Sequence, residues 1–361
     1  MTDSKRKLII ILPSLLGGGS ERVMIHVANN LNRDKFEIII ILLKKEGRYI
    51  DDLPANVRCI NLNVSQARYA AFKIIKEIRE IKPDVVLSTL GHLNLIIMML
   101  KPFLPKNIKL IARESSIVSI INKDEKYPRL FDFLYSKLYK YFDFIICQCQ
   151  FMKEDLINNY NINEEITVVI NNPVNIPRID LINENDEVVF DRNKTNLLAV
   201  GSLKEVKGYD LLIQAIARLE NNYHLTILGE GKEEDSLKAL AKALNIESKV
   251  SFLGFKKDPH YYMNQADIFV LSSRYEGFPN VVLEANACGL PAVAFNCPGG
   301  VGEIVEDGVN GFLVENGNVD KMVETIIKSS NYNWKKDNII QRMKDKYSID
   351  YIIKLYEGVL S

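Results

Sequence analysis

From Leu8 onward the chain alternates short, β-branched apolar runs with segments of helical period, and it does so in two successive series. Alternation of this kind is the mark of βαβ units, and it predicts mostly parallel sheets covered by helices on both faces. Strands are expected over 8–12, 37–43, 57–61, 85–89, 108–113, 144–148 and 167–170. A helix is expected over 67–82, with Phe72, Ile75, Ile78 and Arg79 at helical spacing and Pro83 as its stop. The pattern then breaks at 171–193, a stretch with two prolines, several asparagines and a cluster of acids, which reads as a connector. A second series follows, with strands expected over 196–200, 224–228, 250–253, 268–271 and 292–295, and a helical tail over 334–360 without a further strand.

A length of 361 residues gives about two domains at roughly 150 residues each. Residues 1–175 and 176–340 form the two expected domains, and 341–361 a helix returning toward the first. With 47% apolar and 25% charged residues the chain has the composition of a globular protein. Lys and Arg balance Asp and Glu at 46 each, so nothing global marks a nucleic-acid binder. The charge is unevenly spread: through Tyr160 there are 25 basic and 17 acidic residues, against 21 and 29 in the remainder. Five cysteines without C-x-x-C spacing argue against a disulfide framework or a zinc site and fit a reducing cytoplasm. The apolar runs fall far short of the ~18 residues that span a bilayer. Lys5-Arg6-Lys7 and the apolar run after it imitate a signal peptide, but Pro13 and three glycines end that run too early.

Open parallel sheets take ligands at the carboxyl ends of their strands, so a cleft ligand is expected between the two domains. Gly17-Gly18-Gly19-Ser20 follows the first strand and precedes a helical segment from Glu21. Such a loop lets backbone N–H groups approach a phosphate, though a βα turn needing glycine for its geometry reads equally well. The spacing is that of neither a dinucleotide fingerprint nor a P-loop. The second series opens with GSLKEVKG, in which Lys207 is either a point charge suited to a diphosphate or a solvated lysine before a helix. Farther on, SSRYEGFPNVVLEA places Glu276 and Glu284 eight residues apart across a loop-to-helix junction. Pro279 suits the start of that helix, which leaves the amides of residues 280–283 open to an anion. Carboxylates so near a diphosphate make sense as acceptors for hydroxyl groups. A nucleotide sugar supplies both.

At this point the chain resembles a known family. The E-x7-E element EGFPNVVLE, with GSLKEVKG, LGEG and GGGSE, in order over essentially the whole sequence, is similar to retaining glycosyltransferase family 4. The resemblance implies an α/β GT-B fold: two facing Rossmann-like, doubly wound domains with a C-terminal helix packing back across the junction. It implies transfer of a sugar, from a UDP-sugar in preference to a GDP-sugar, to a hydroxyl of a glycan or lipid-linked acceptor in cell-surface polysaccharide or glycolipid assembly. It further implies Glu276 at the transferred sugar, Glu284 at the ribose, and Lys207 with the backbone at Gly17–Gly19 and Val281–Val282 at the diphosphate. The turn Gly254-Phe255 would border the base, with Ser202, Gly277, Phe278 and Asn280 completing the donor site. Stabilising the departing diphosphate is then the main catalytic task, and no cofactor or metal is required.

Two positions depart from the family pattern. Ser202 stands where an arginine is usual, with Lys204 as the nearest substitute charge, and Glu114 stands where many members carry a histidine. Glu114 either orients acceptor or donor sugar, and so joins Glu276 and Lys207 in the catalytic set, or pairs with Arg113 as a structural group. His92, with Arg113 and Glu114, lies on the expected acceptor side, although packing or capping is its first reading. Cys147 and Cys149 read as core. Residues 127–142, YPRLFDFLYSKLYKYF, carry a stripe of Phe131, Tyr135, Leu138 and Phe142, yet Leu130, Phe133, Leu134 and Tyr141 leave apolar surface on other faces. Interleaved with Arg129, Lys137 and Lys140, the segment reads either as a buried helix or as a contact with an anionic membrane. Competing functions are a nucleotide-sugar epimerase, which lacks a histidine set for acid–base work, and a noncatalytic nucleotide-sugar binder.

Overall fold

A computed structural model of the chain describes residues 5–16, 18–54, 57–64, 69–175 and 190–361. It resolves into two compact units, Met1–Pro173 with Ile349–Ser361, and Val174–Ser348. The first holds strands β1 (Arg6–Leu12), β2 (Phe36–Leu42), β3 (Arg58–Asn61), β4 (Val85–Thr89), β5 (Lys109–Arg113), β6 (Phe144–Cys147) and β7 (Thr167–Val169). They form one parallel sheet in the order β3-β2-β1-β4-β5-β6-β7. Leu8 to Leu12 are all buried because β1 is central and its sheet is covered on both faces. The strand order reverses between β1 and β4, which makes that edge the switch point of the sheet.

The second unit repeats the plan with β8 (Thr195–Val200), β9 (Tyr223–Leu228), β10 (Val250–Phe252), β11 (Ile268–Leu271), β12 (Ala292–Phe295) and β13 (Gly311–Val314). The order is β10-β9-β8-β11-β12-β13, with the switch point between β8 and β11. The edge strand β13 was not expected. Its four residues follow Asn310 and begin at Gly311, where a β-carbon would come within 2.2 Å of the Ala292 carbonyl oxygen, so only glycine lets the strand dock.

The tail is two helices rather than one. Lys336–Tyr347 belongs to the second unit, and after an extended Ser348 the helix Ile349–Leu360 belongs to the first. There Ile352, Ile353, Tyr356 and Leu360 are buried at helical spacing against the core around the helix Gly19–Asn30. Two other expectations need correction. In the helix Ala71–Ile81 the inward stripe is Ile74, Ile78 and Ile81, while Phe72 is 88% exposed. In 127–142 the buried stripe is Tyr135, Tyr139 and Phe142, and Tyr127, Leu130, Phe133 and Tyr141 are exposed. Apolar spacing admits several phases about a helix axis; packing against neighbouring elements selects one.

Candidate functional site

The second unit brings its predicted residues together at the carboxyl end of its sheet. The loop after β8 closes in the short turn Glu205–Lys207, which Gly208 terminates at φ +61. A β-carbon on Gly208 would stand 2.0 Å from the Ser272 carbonyl oxygen, so glycine is needed both for its conformation and for the close approach. This docking seats Lys207 beside the loop after β11. Lys207 Nζ donates to Glu276 Oε1 at 2.6 Å, and both side chains are largely buried. A second donor reaches the same oxygen, Ser273 Oγ, also at 2.6 Å. Behind them Arg274 makes a bidentate pair with Asp210, at 2.9 and 2.8 Å, which raises the Arg274 pKa and lowers that of Asp210. Burial, helped by the Glu276 charge, pushes the Tyr209 phenol well above its ordinary range. Ser273 and Asp210 were missed by the sequence reading, because a lone polar residue in a loop or in the first turn of a helix carries no spacing signal.

Pro279 is the N-cap of the helix Asn280–Ala287, as its fixed φ allows, and Glu284 is buried one turn inside. Not every first-turn amide is open: the Val282 N–H donates to the Pro279 carbonyl at 3.1 Å, tightening the turn, so this expected diphosphate donor is engaged internally. The Phe278 ring is buried against Tyr347, with centroids 5.8 Å apart. Gly277 accepts from the Gly300 N–H. Ser202 is exposed, and its carbonyl accepts from the Lys204 N–H at 2.9 Å. At the end of β10, Gly254 takes φ +69 and the exposed Phe255 donates its N–H to Glu230 Oε1 at 3.4 Å.

In the first unit Gly17 lies outside the described residues. Gly18 caps the helix Gly19–Asn30, which begins two residues earlier than expected. Beneath its first turn Arg113, expected on the acceptor side, is 0% exposed and spends its guanidinium inside the unit. Its Nε donates to the Tyr356 hydroxyl at 2.9 Å, one terminal nitrogen to Ser20 Oγ at 3.0 Å, and the other to Asn172 Oδ1 at 2.6 Å. Arg113 is therefore a structural clasp for the last helix, and it forms no salt bridge with Glu114. The Glu114 carboxylate accepts instead from Asn94 Nδ2 at 2.9 Å and from the Tyr139 hydroxyl. It is 2% exposed, and burial pushes its pKa up to about 7. His92 sits on the surface, bonded to Glu125 Oε1 at 2.8 Å and edge-on to Phe131, which fits the packing reading. Cys147 and Cys149 are buried core, and burial raises the Cys147 thiol well above its usual value. No helix among the described residues is long and apolar enough to cross a membrane.

Known structures share this architecture. The chain superimposes on the Anabaena protein HepE, solved with UDP-glucose, with a TM-score of 0.84, 21% identity and coverage of 98% and 99% of the two chains. On WaaG, a glycosyltransferase involved in lipopolysaccharide biosynthesis, the TM-score is 0.77 at 18% identity, with coverage of 98% and 99%. The fold is α/β GT-B. A family model described as glycosyltransferase family 4 matches residues 17–178, and one described as glycosyl transferases group 1 matches residues 182–346. An uncharacterized glycosyltransferase of Haemophilus influenzae is 31% identical over 354 residues, covering 95% of this chain and 96% of the relative. A Campylobacter jejuni 4-alpha-N-acetylgalactosaminyltransferase, named for an N-acetylgalactosamine-N,N'-diacetylbacillosaminyl-diphospho-undecaprenol acceptor, is 32% identical, covering 88% of each. The chain belongs to the family 4 type of GT-B glycosyltransferases, and it is a glycosyl-transferring enzyme.

Proposed function

We propose that the protein is a retaining glycosyltransferase that moves a sugar from a UDP-sugar to a hydroxyl of a glycan or lipid-linked acceptor, in the assembly of a cell-surface polysaccharide or glycolipid. The observation that carries this reading is the 2.6 Å contact between Lys207 and Glu276 at the switch point of the second sheet. A cation and a hydroxyl acceptor stand there side by side, next to the start of the helix Asn280–Ala287. Lys207 and open amides of that helix receive the diphosphate, Glu276 the hydroxyls of the transferred sugar and Glu284 those of the ribose. As the anomeric bond to the diphosphate breaks, negative charge grows on the leaving oxygen, and a preorganised ammonium in a largely buried setting stabilises it. The acceptor hydroxyl attacks the oxocarbenium-like centre from the face the diphosphate leaves, so no protein nucleophile is used. The positive charge comes from the chain itself, and the reaction proceeds without metal. Glu114, held by Asn94 and Tyr139, acts by fixing the carboxyl end of β5 rather than by direct contact.

The lipid-diphosphate acceptor in the Campylobacter relative's name supports the acceptor class. Relatives named for amylovoran and lipopolysaccharide core biosynthesis support the polysaccharide setting. The UDP-glucose of HepE supports the donor class. On the acceptor side, exposed Tyr127, Leu130, Phe133 and Tyr141 alternate with Lys126, Arg129, Lys137 and Lys140. Such a face supports peripheral contact with an anionic inner membrane surface, where a lipid-linked acceptor would be presented.

A thermal-stabilisation screen tests the reading, since a ligand bound only by the folded state raises its melting temperature. The panel is UDP-glucose, UDP-galactose, their N-acetylated forms, GDP-mannose and NAD. Stabilisation by a UDP-sugar and by UDP is expected; stabilisation by NAD alone, or by nothing in the panel, would refute it.

A further inference from the structure

The loop after β11 opens with two serines, and neither has a part in the chemistry above. Side chains of successive residues in extended backbone point to opposite sides, so the two reach different partners. Ser272 Oγ donates to the Lys207 carbonyl at 2.9 Å and steadies the turn that carries the lysine. Ser273 Oγ donates to Glu276 Oε1 at 2.6 Å from a position that is 1% exposed. Lys207 Nζ occupies the same oxygen, so Oε1 carries two donors, and Oε2 has no hydrogen-bond partner among the described residues. The backbone of Glu276 is held from the other side. Its N–H donates to the Pro298 carbonyl at 3.0 Å, and Gly299 at φ +124 packs so closely that a β-carbon would lie 1.7 Å from the Glu276 carbonyl oxygen.

We propose that Ser273 is a positioning residue that fixes the Glu276 carboxylate and presents Oε2 to the hydroxyls of the transferred sugar. The inference rests on the donor-site reading given above. A carboxylate free to rotate about its terminal bond must be ordered when the sugar arrives, whereas one already pinned through Oε1 meets the sugar as a preformed acceptor. Once a diphosphate draws Lys207 toward itself, Ser273 is the donor that keeps its hold on Oε1. Its effect is expected to fall on the sugar, because its hydroxyl donates to the Glu276 carboxylate.

Calorimetric affinities of the full chain separate the cases. The probes are the nucleotide sugar that stabilises the protein most in the panel and the matching nucleoside diphosphate. Ser273→Ala is expected to weaken the nucleotide sugar roughly tenfold or more, as for loss of a hydrogen bond to a charged group, and to leave the diphosphate within about twofold. Ser273→Cys, nearly isosteric but a weak donor, is expected to fall between. Wild-type affinity for the nucleotide sugar in Ser273→Ala, with affinity lost in Glu276→Gln, overturns the proposal and leaves the donor reading standing. Equal losses for both probes also overturn it, since Ser273 would then be merely structural. If Glu276→Gln alters neither affinity, the donor reading itself fails and takes the proposal with it.

Discussion

Lys207 and Glu276, 69 residues apart in the chain, share a 2.6 Å contact that joins the loops leaving the two strands at the switch point of the second sheet. Each holds the other ready. The lysine would otherwise be a mobile solvated cation, and the glutamate a charge facing the diphosphate it must tolerate. Lys207→Ala removes the charge proposed to meet the leaving group, and turnover is expected to fall by about two to three orders of magnitude, on the scale of losing one oxyanion donor. Steady-state kinetics checks it; unchanged kcat would show that the diphosphate lies elsewhere.

In the proposed scheme that ammonium and backbone amides supply the positive charge, so transfer is expected to persist in excess EDTA. Release of nucleoside diphosphate with and without chelator measures this. A loss restored by a divalent cation would contradict the metal-independent scheme.

Glu114 makes stability depend on pH. Its folded pKa is raised, by burial first, to about 7, against an ordinary value near 4.5. Below about pH 4.5 the carboxyl is protonated in both states, and the stabilisation is fully present. As pH rises the unfolded chain ionises first and stability declines, on the order of 3 kcal/mol, until the folded carboxyl ionises near pH 7. Glu114→Gln keeps an oxygen for Asn94 and Tyr139 and cannot titrate, so urea unfolding of the variant should show a flatter decline over this range. An unaltered slope would count against it.

Tyr356 accepts from the buried Arg113 guanidinium. Tyr356→Phe keeps the ring and leaves that donor without its acceptor, with an expected loss of about 1–3 kcal/mol in the first unit. Hydrogen exchange should show the helix Ile349–Leu360 opening more readily, since the clasp joins it to β5. Protection equal to wild type would remove Arg113 from that role.

Leu130 and Phe133 are exposed beside basic residues. Binding to vesicles containing phosphatidylglycerol, and not to neutral ones, is expected to weaken with salt and to fall strongly in Leu130→Glu with Phe133→Glu. Sedimentation with vesicles checks it; binding indifferent to lipid charge would speak against the contact.

Among the described residues twelve of the thirteen strands were legible in the sequence, and for the interior ones the reason is that a strand buried on both faces must be a near-continuous apolar run. β13 escaped because its four residues open on Gly311, and a glycine before so short an apolar run reads as a turn. Lys207 and Glu276 were both singled out in the sequence, through the family resemblance of GSLKEVKG and EGFPNVVLE, and the structure brings the two side chains together. What reading along the chain left open was phase and partnership. Phe72 and Ile74 belong to one apolar helix, and only its packing in the folded unit decides that Ile74 turns inward. Arg113 and Glu114 are adjacent charges that invite pairing, yet the end of β5 sends them to different neighbours, one to Tyr356 and Ser20, the other to Asn94 and Tyr139. The sequence by itself determined the two parallel-sheet units and marked Lys207 and Glu276 as candidate site residues, because hydrophobic period and motif spacing are local properties. The tertiary structure alone decided that Ser273 holds Glu276, that Val282 closes on Pro279 and that the last helix returns to the first unit, because hydrogen bonds between distant segments depend on where the folded backbone brings them.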